Sequence, residues 1–141
     1  MTHAPDDPRV AYFIGASRAT GAITISRLIL ALYNPAHLYV IHVDRKAEES
    51  LMQQLKDLTA NHANIHLVRG RRRVQWGGWS VVAPLLDAIA SLEAVDIDYD
   101  FLINLSESDL ALRTSAEIVR ALAAARTRAP RRAAPSHPAL G

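Results

Sequence analysis

Glu107, Ser108 and Asp109 follow directly on the apolar run Phe101-Leu102-Ile103-Asn104-Leu105-Ser106. Two carboxylates in a small-polar turn at the end of an apolar strand can hold a hard cation or orient a sugar. The same side chains can equally cap the loop that follows. Asp44 closes a second apolar run, Leu38-Tyr39-Val40-Ile41-His42-Val43. A carboxylate there is placed to accept from a ribose hydroxyl or a base amide, or to cap the helix that comes next. Arg69, Arg71, Arg72 and Arg73 surround Gly70; clustered guanidiniums neutralise a diphosphate, and they also make an ordinary solvated charge run. In Trp76-Gly77-Gly78-Trp79 two glycines separate two indoles. That pattern lets the backbone approach a ligand while a ring supplies a wall.

Two further motifs carry less. Gly15-Ala16-Ser17-Arg18-Ala19-Thr20-Gly21 follows the apolar run Val10–Ile14 and has the look of a dinucleotide-binding turn, as in short-chain dehydrogenases. Ala19 stands where that pattern has its central glycine, and no Tyr-x-x-x-Lys pair occurs in the chain. An NAD(P)-binding domain therefore stays as the alternative reading. Asp96-Ile97-Asp98-Tyr99-Asp100 matches an Asp-x-Asp metal motif, but it precedes its strand and so falls at the amino end of the sheet, away from a ligand edge. The six histidines are scattered without ligand spacing, and His42 reads as a hydrogen-bonded core residue.

These residues need a scaffold. Val10–Ile14, Leu38–Val43, Ile65–Val68 and Asp100–Leu105 read as buried strands. Ile25, Leu28, Ile29 and Leu32, then Leu51, Leu55 and Leu58, then Val82, Leu85, Leu86, Ile89 and Leu92 recur at helical spacing. Asn34-Pro35 ends the first helix, Pro84 sits near the start of the third, and Thr114-Ser115-Ala116-Glu117 opens a fourth as a capping box. The alternation predicts an α/β fold, a parallel sheet with helices on both faces and ligands at the strand carboxyl ends. The expected organisation is a disordered start over residues 1–8, a truncated α/β domain over 9–125, and a disordered Arg/Ala/Pro-rich tail over 126–141.

Composition excludes several classes. A chain of 141 residues carries one domain, and a formal charge of +2 is too small to argue for nucleic acid. The absence of cysteine removes disulfides, thiolate zinc sites and cysteine nucleophiles. No apolar run reaches the roughly 20 residues that span a bilayer, and Met1–Arg9 lacks a signal-peptide plan.

In order, Ala11-Tyr12-Phe13-Ile14, Ala31-Leu32-Tyr33-Asn34-Pro35, Tyr39–Asp44, Val74-Gln75-Trp76-Gly77-Gly78, Phe101–Asp109 and Leu112-Arg113-Thr114 resemble glycosyltransferase family 14. That family comprises the peptide O-xylosyltransferases, the core-2 and I-branching β-1,6-N-acetylglucosaminyltransferases and plant glucuronosyltransferases. The resemblance implies the N-terminal, nucleotide-binding half of a GT-A type fold. It also implies metal-independent, inverting transfer of a sugar such as xylose or N-acetylglucosamine from a UDP-sugar to a hydroxyl of a protein or glycan, with no cofactor. On the same similarity Ala16 and Asp44 contact the nucleotide, Val74, Gln75 and Trp76 line the uridine and ribose pocket, and Glu107 and Asp109 lie near the donor sugar. The resemblance puts the catalytic base and the basic residues holding the diphosphate further along than this stretch, so no catalytic residue is assigned. It implies a Golgi type II membrane protein, although no anchor is present here; an inactive remnant is the other reading of a chain lacking that base.

Overall fold

The computed structural model describes residues 6–18, 21–68, 82–94 and 97–128. Among these residues four strands and four helices alternate: β1 (Val10–Ala16), α1 (Gly21–Leu32), β2 (Leu38–Val43), α2 (Glu49–Ala60), β3 (Ile65–Leu67), α3 (Ala83–Ala94), β4 (Phe101–Ser106) and α4 (Ser115–Arg128). All strands pair in parallel, in the order β3-β2-β1-β4. The fold is α/β, consistent with the N-terminal half of a GT-A type glycosyltransferase.

Burial explains the composition of the strands. β1 and β2 are central and covered on both faces, which is why they read as unbroken apolar runs rather than alternating ones. Period two then assigns the faces. Tyr12, Ile14, Tyr39, Ile41 and Val43 pack with Ile25, Leu28 and Leu32 of α1 and Leu51 and Leu55 of α2. Ala11, Phe13, Leu38 and Val40 pack with Ala88 and Leu92 of α3 on the other face. Leu51 and Leu55 are fully buried, each worth about 1.5–3 kcal/mol relative to exposure.

The connections follow from the strand order. β1 to β2 to β3 runs one way with α1 and α2 on one face. β3 to β4 runs back past β1 with α3 on the other, so the three crossovers share one hand, as the right-handed rule requires. The direction reverses between β1 and β4, which makes their carboxyl ends the topological switch point.

Local chemistry fixes the ends. The Tyr39 hydroxyl donates to the Leu32 carbonyl (2.8 Å) and accepts from the Asn34 N–H (2.9 Å), closing α1 before Pro35. The capping box forms as expected: Thr114 Oγ1 accepts from the Glu117 N–H (3.2 Å) and Glu117 Oε2 accepts from the Thr114 N–H (2.8 Å). The Thr114 N–H and hydroxyl, both donating to Oε2, hold the Glu117 carboxyl below its usual range.

Several edges differ from the expected ones: β3 stops at Leu67 rather than Val68, and β4 spans Phe101–Ser106 rather than Asp100–Leu105. β1 continues through Gly15 and Ala16, because Gly15 pairs with Ser106 and Ala16 with Val43. Helix α4 runs through Arg126 and Thr127 to Arg128, three residues into the expected tail, which begins at 126. The alanine run 121–125 favours helix, apart from Leu122 on its buried side, and Arg126 Nη1 pairs with Asp100 Oδ1 at 3.2 Å. Pro8, inside the expected disordered start, is buried.

Candidate functional site

At the switch point a cleft of about 430 Å³ opens on the α3 side of the sheet. Its floor is built by register. Gly15 lies between His42 of β2 and Ser106 of β4, and Phe13 pairs with Asn104 in the row below. A Cβ at Gly15 would meet nothing within 4 Å, so the glycine leaves the floor of the cleft open. Ala16, Ser17, Arg18, Asp44, Lys46, Glu107, Ser108 and Pro84 complete the lining.

Asp44 sits at the β2 end of this cleft and is 4% exposed. Its N–H donates to the Ala16 carbonyl at 2.7 Å, which locks the two strand ends together. Its Oδ1 accepts from the Lys46 N–H (2.8 Å), a tight side-chain turn, and Lys46 Nζ stands 3.7 Å from Oδ2. Ala16 and Asp44 are thus neighbours, with the carboxylate anchored.

Glu107 sits at the β4 end and is 6% exposed. Its N–H donates to the Gly15 carbonyl (2.9 Å), carrying the β1–β4 ladder one residue further. Its carboxylate is committed to the turn after β1. Oε1 accepts from Ser17 Oγ (2.9 Å) and the Arg18 N–H (3.0 Å), while Oε2 accepts from the Ser17 N–H (3.1 Å). Arg18 Nε stands 4.0 Å from Oε1. Asp109 closes its own turn: Oδ2 accepts from the Ser106 N–H at 2.6 Å, and Asp109 lies outside the cleft lining and exposed. Of the two carboxylates at this turn, one therefore braces the β1–α1 connection and the other braces the turn itself.

Val74, Gln75 and Trp76, with the rest of the tryptophan–glycine motif and the arginine cluster, lie outside the described residues. Asp98 and Asp100 sit at the amino end of β4, opposite the cleft. There Asp100 Oδ2 accepts from the Arg9 N–H at 2.8 Å. Among the described residues no group of three or more acidic, histidine or cysteine side chains could hold a metal ion. No described helix is long and apolar enough to cross a membrane.

His42 and Asn104 were not singled out from the sequence as ligand-facing residues. His42 is 3% exposed, its ring stacked on Phe13 with centroids 6.5 Å apart, and it lines the cleft wall. The signal is a polar residue near the carboxyl end of an otherwise apolar central strand, on the same period-two face as Gly15 and Ser106.

The cleft carries both signs of charge. Asp44 and Glu107 are buried, while the side chains of their partners Lys46 and Arg18 are 48% and 71% exposed. Two anchored carboxylates, backbone carbonyls and a histidine suit hydrogen bonding to a neutral, polar ring system; a diphosphate needs cations beyond this set.

Residues 10–131 match the family described as core-2/I-branching enzyme. The chain is 40% identical over 100 residues to the xylosyltransferase oxt of Drosophila melanogaster, covering 71% of this chain and 11% of that protein. It is 34% identical over 121 residues to the β-glucuronosyltransferase GlcAT14A of Arabidopsis thaliana, covering 82% and 27% respectively. It is 33% identical over 98 residues to a human β-1,3-galactosyl-O-glycosyl-glycoprotein β-1,6-N-acetylglucosaminyltransferase, covering 70% and 23%. The chain thus corresponds to between about a tenth and about a quarter of the length of these relatives. With its α/β sheet, its switch-point cleft and a match over most of its length, the chain belongs to the core-2/I-branching family of glycosyltransferases.

Proposed function

We propose that this chain is the donor-binding part of an inverting glycosyltransferase that takes a UDP-sugar, such as UDP-xylose or UDP-N-acetylglucosamine, and transfers the sugar to a hydroxyl of a protein or glycan. The observation that carries the reading is the anchored Asp44 beside Ala16 at the rim of the cleft, in a chain of this family. An Asp at the end of a central strand accepts from a ribose hydroxyl or a base amide. Gly15 leaves room for a flat ring against the sheet, and His42 offers a wall. Val74, Gln75 and Trp76 complete the nucleoside pocket in this proposal. Glu107 and Asp109 act there by shaping the strand-end turn beside the donor sugar. The transfer uses no metal or other cofactor. An inverting step needs a carboxylate to take the proton of the attacking hydroxyl as UDP leaves. No side chain here is assigned that part; we place it in sequence beyond this stretch. The full enzyme resides in the Golgi membrane.

The dehydrogenase-like alternative is disfavoured by Glu107. Its carboxylate occupies the N–H groups of Ser17 and Arg18 that a dinucleotide pyrophosphate would take. Isothermal titration of the chain with UDP and with NADPH tests the choice. UDP binds, and Asp44→Ala weakens it at least tenfold. NADPH binding without UDP binding would reverse the assignment.

A further inference from the structure

The turn between β1 and α1 presents two successive backbone N–H groups, from Ser17 and Arg18, beside the first residue of a helix. Such an arrangement is a ready-made seat for an anion. Here the seat is taken from within. Glu107, 90 residues further along the chain and 6% exposed, places both carboxylate oxygens on those N–H groups and on Ser17 Oγ. Gly21, the last glycine of the turn motif, explains how it fits. A Cβ at that position would collide with Glu107 Oε2. The glycine that resembles a pyrophosphate-approach residue in the sequence is thus the approach residue for a carboxylate of the chain itself.

We infer that Glu107 is a specificity-determining residue. It is a built-in anion that fills the β1–α1 seat, bars phosphate groups from it, and confines a nucleotide to the α3-side cleft over Gly15. The confinement of the nucleotide rests on the donor-binding reading above; the filling of the seat does not, and the two fail separately.

The experiment uses inorganic pyrophosphate as the probe and thermal melts of the 141-residue chain, with sodium chloride at matched ionic strength as the control. Glu107→Ala empties the seat and lowers Tm by roughly 6–12 °C, the loss of charge-assisted bonds to three donors. Pyrophosphate at about ten times its dissociation constant then returns roughly 3–6 °C to this variant and shifts the unsubstituted chain by less than about 1 °C. Glu107→Gln, which keeps the shape and loses the charge, melts below the unsubstituted chain and is not rescued. Pyrophosphate shifts that are equal in the unsubstituted chain and in Glu107→Ala would overturn the inference, as would a Glu107→Gln chain that melts like the original. If Glu107→Ala does not fold in chloride, its refolding yield with and without pyrophosphate reads the same quantity. A higher yield with pyrophosphate supports the seat, and equal yields refute it.

Discussion

Replacing Gly21 by alanine should destabilise this protein, although the same change at an ordinary helical position stabilises. Gly21 opens α1 with no positive φ to protect, so alanine gains about 0.5–1 kcal/mol from helix propensity and from a less flexible unfolded chain. Against this, the new methyl group displaces Glu107 Oε2, which accepts from the N–H groups of Ser17 (3.1 Å) and Arg18 (3.2 Å). Oε1 keeps its bonds to Ser17 Oγ and the Arg18 N–H. Losing the Oε2 share of a charged hydrogen-bond set costs about 1.5–3 kcal/mol, so the net effect is a loss of about 1–2 kcal/mol. With a urea slope of about 1.5 kcal/mol/M, the unfolding midpoint falls by about 0.7–1.3 M. The sign reverses once Glu107 is gone. In a Glu107→Ala background Gly21→Ala raises the midpoint by about 0.3–0.7 M, and the double-mutant cycle returns a coupling of about 1.5–3 kcal/mol. Equal shifts in both backgrounds would refute the proposed contact between the carboxylate and the helix start.

Other consequences can be checked on the same material. The Tyr12 hydroxyl is buried without a partner among the described residues, so Tyr12→Phe is neutral or stabilising by about 1 kcal/mol, whereas Tyr39→Phe, which strips two bonds from the end of α1, costs about 1–3 kcal/mol in urea unfolding. Burial pushes the Tyr12 phenol from 10.0 up to about 12. The unfolded chain therefore loses this proton first, and stability falls as pH rises from about 10 to about 12, a fall that Tyr12→Phe lessens in pH-dependent melts. Burial holds the His66 imidazole below its ordinary 6.5, with Nε2 unpartnered among the described residues. The unfolded chain then binds the extra proton, so stability declines as pH falls below 6.5, and His66→Phe should remove that part of the acid sensitivity. His42→Ala enlarges the cleft wall and weakens UDP binding about three- to tenfold by titration calorimetry, with little change in NADPH response.

The parts that were legible in the sequence are those set by local periodicity. Apolar runs of five or six residues ending in Gly15, Asp44 or Ser106 give the strands, and stripes such as Ile25-Leu28-Ile29-Leu32 give the helices, because each buried face repeats at the period of its element. Proline at 35 and the Thr114/Glu117 box mark ends through chemistry contained within four residues. What could not be read depends on register between strands far apart in the chain. Nothing local says that Ser106 lands beside Gly15, and only that pairing brings Glu107 onto Ser17 and Arg18. The same holds for His42, whose place on a cleft wall follows from its pairing with Gly15 rather than from its neighbours in sequence. The Asp-x-Asp motif was placed correctly because strand polarity alone, without register, puts Asp98 and Asp100 at the far end of the sheet. The Val74-Gln75-Trp76 prediction lies outside the described residues.

Amide chemical-shift mapping of the chain on titration with UDP tests the central claim most directly. A donor site of the kind proposed concentrates the perturbations on Gly15, Ala16, His42, Asp44 and Ser106, spares Arg113–Arg126, and loses them in Asp44→Ala. Perturbations confined to Ser17, Arg18 and Gly21, with Gly15, His42 and Asp44 unmoved, or a response to NADPH with none to UDP, would contradict it.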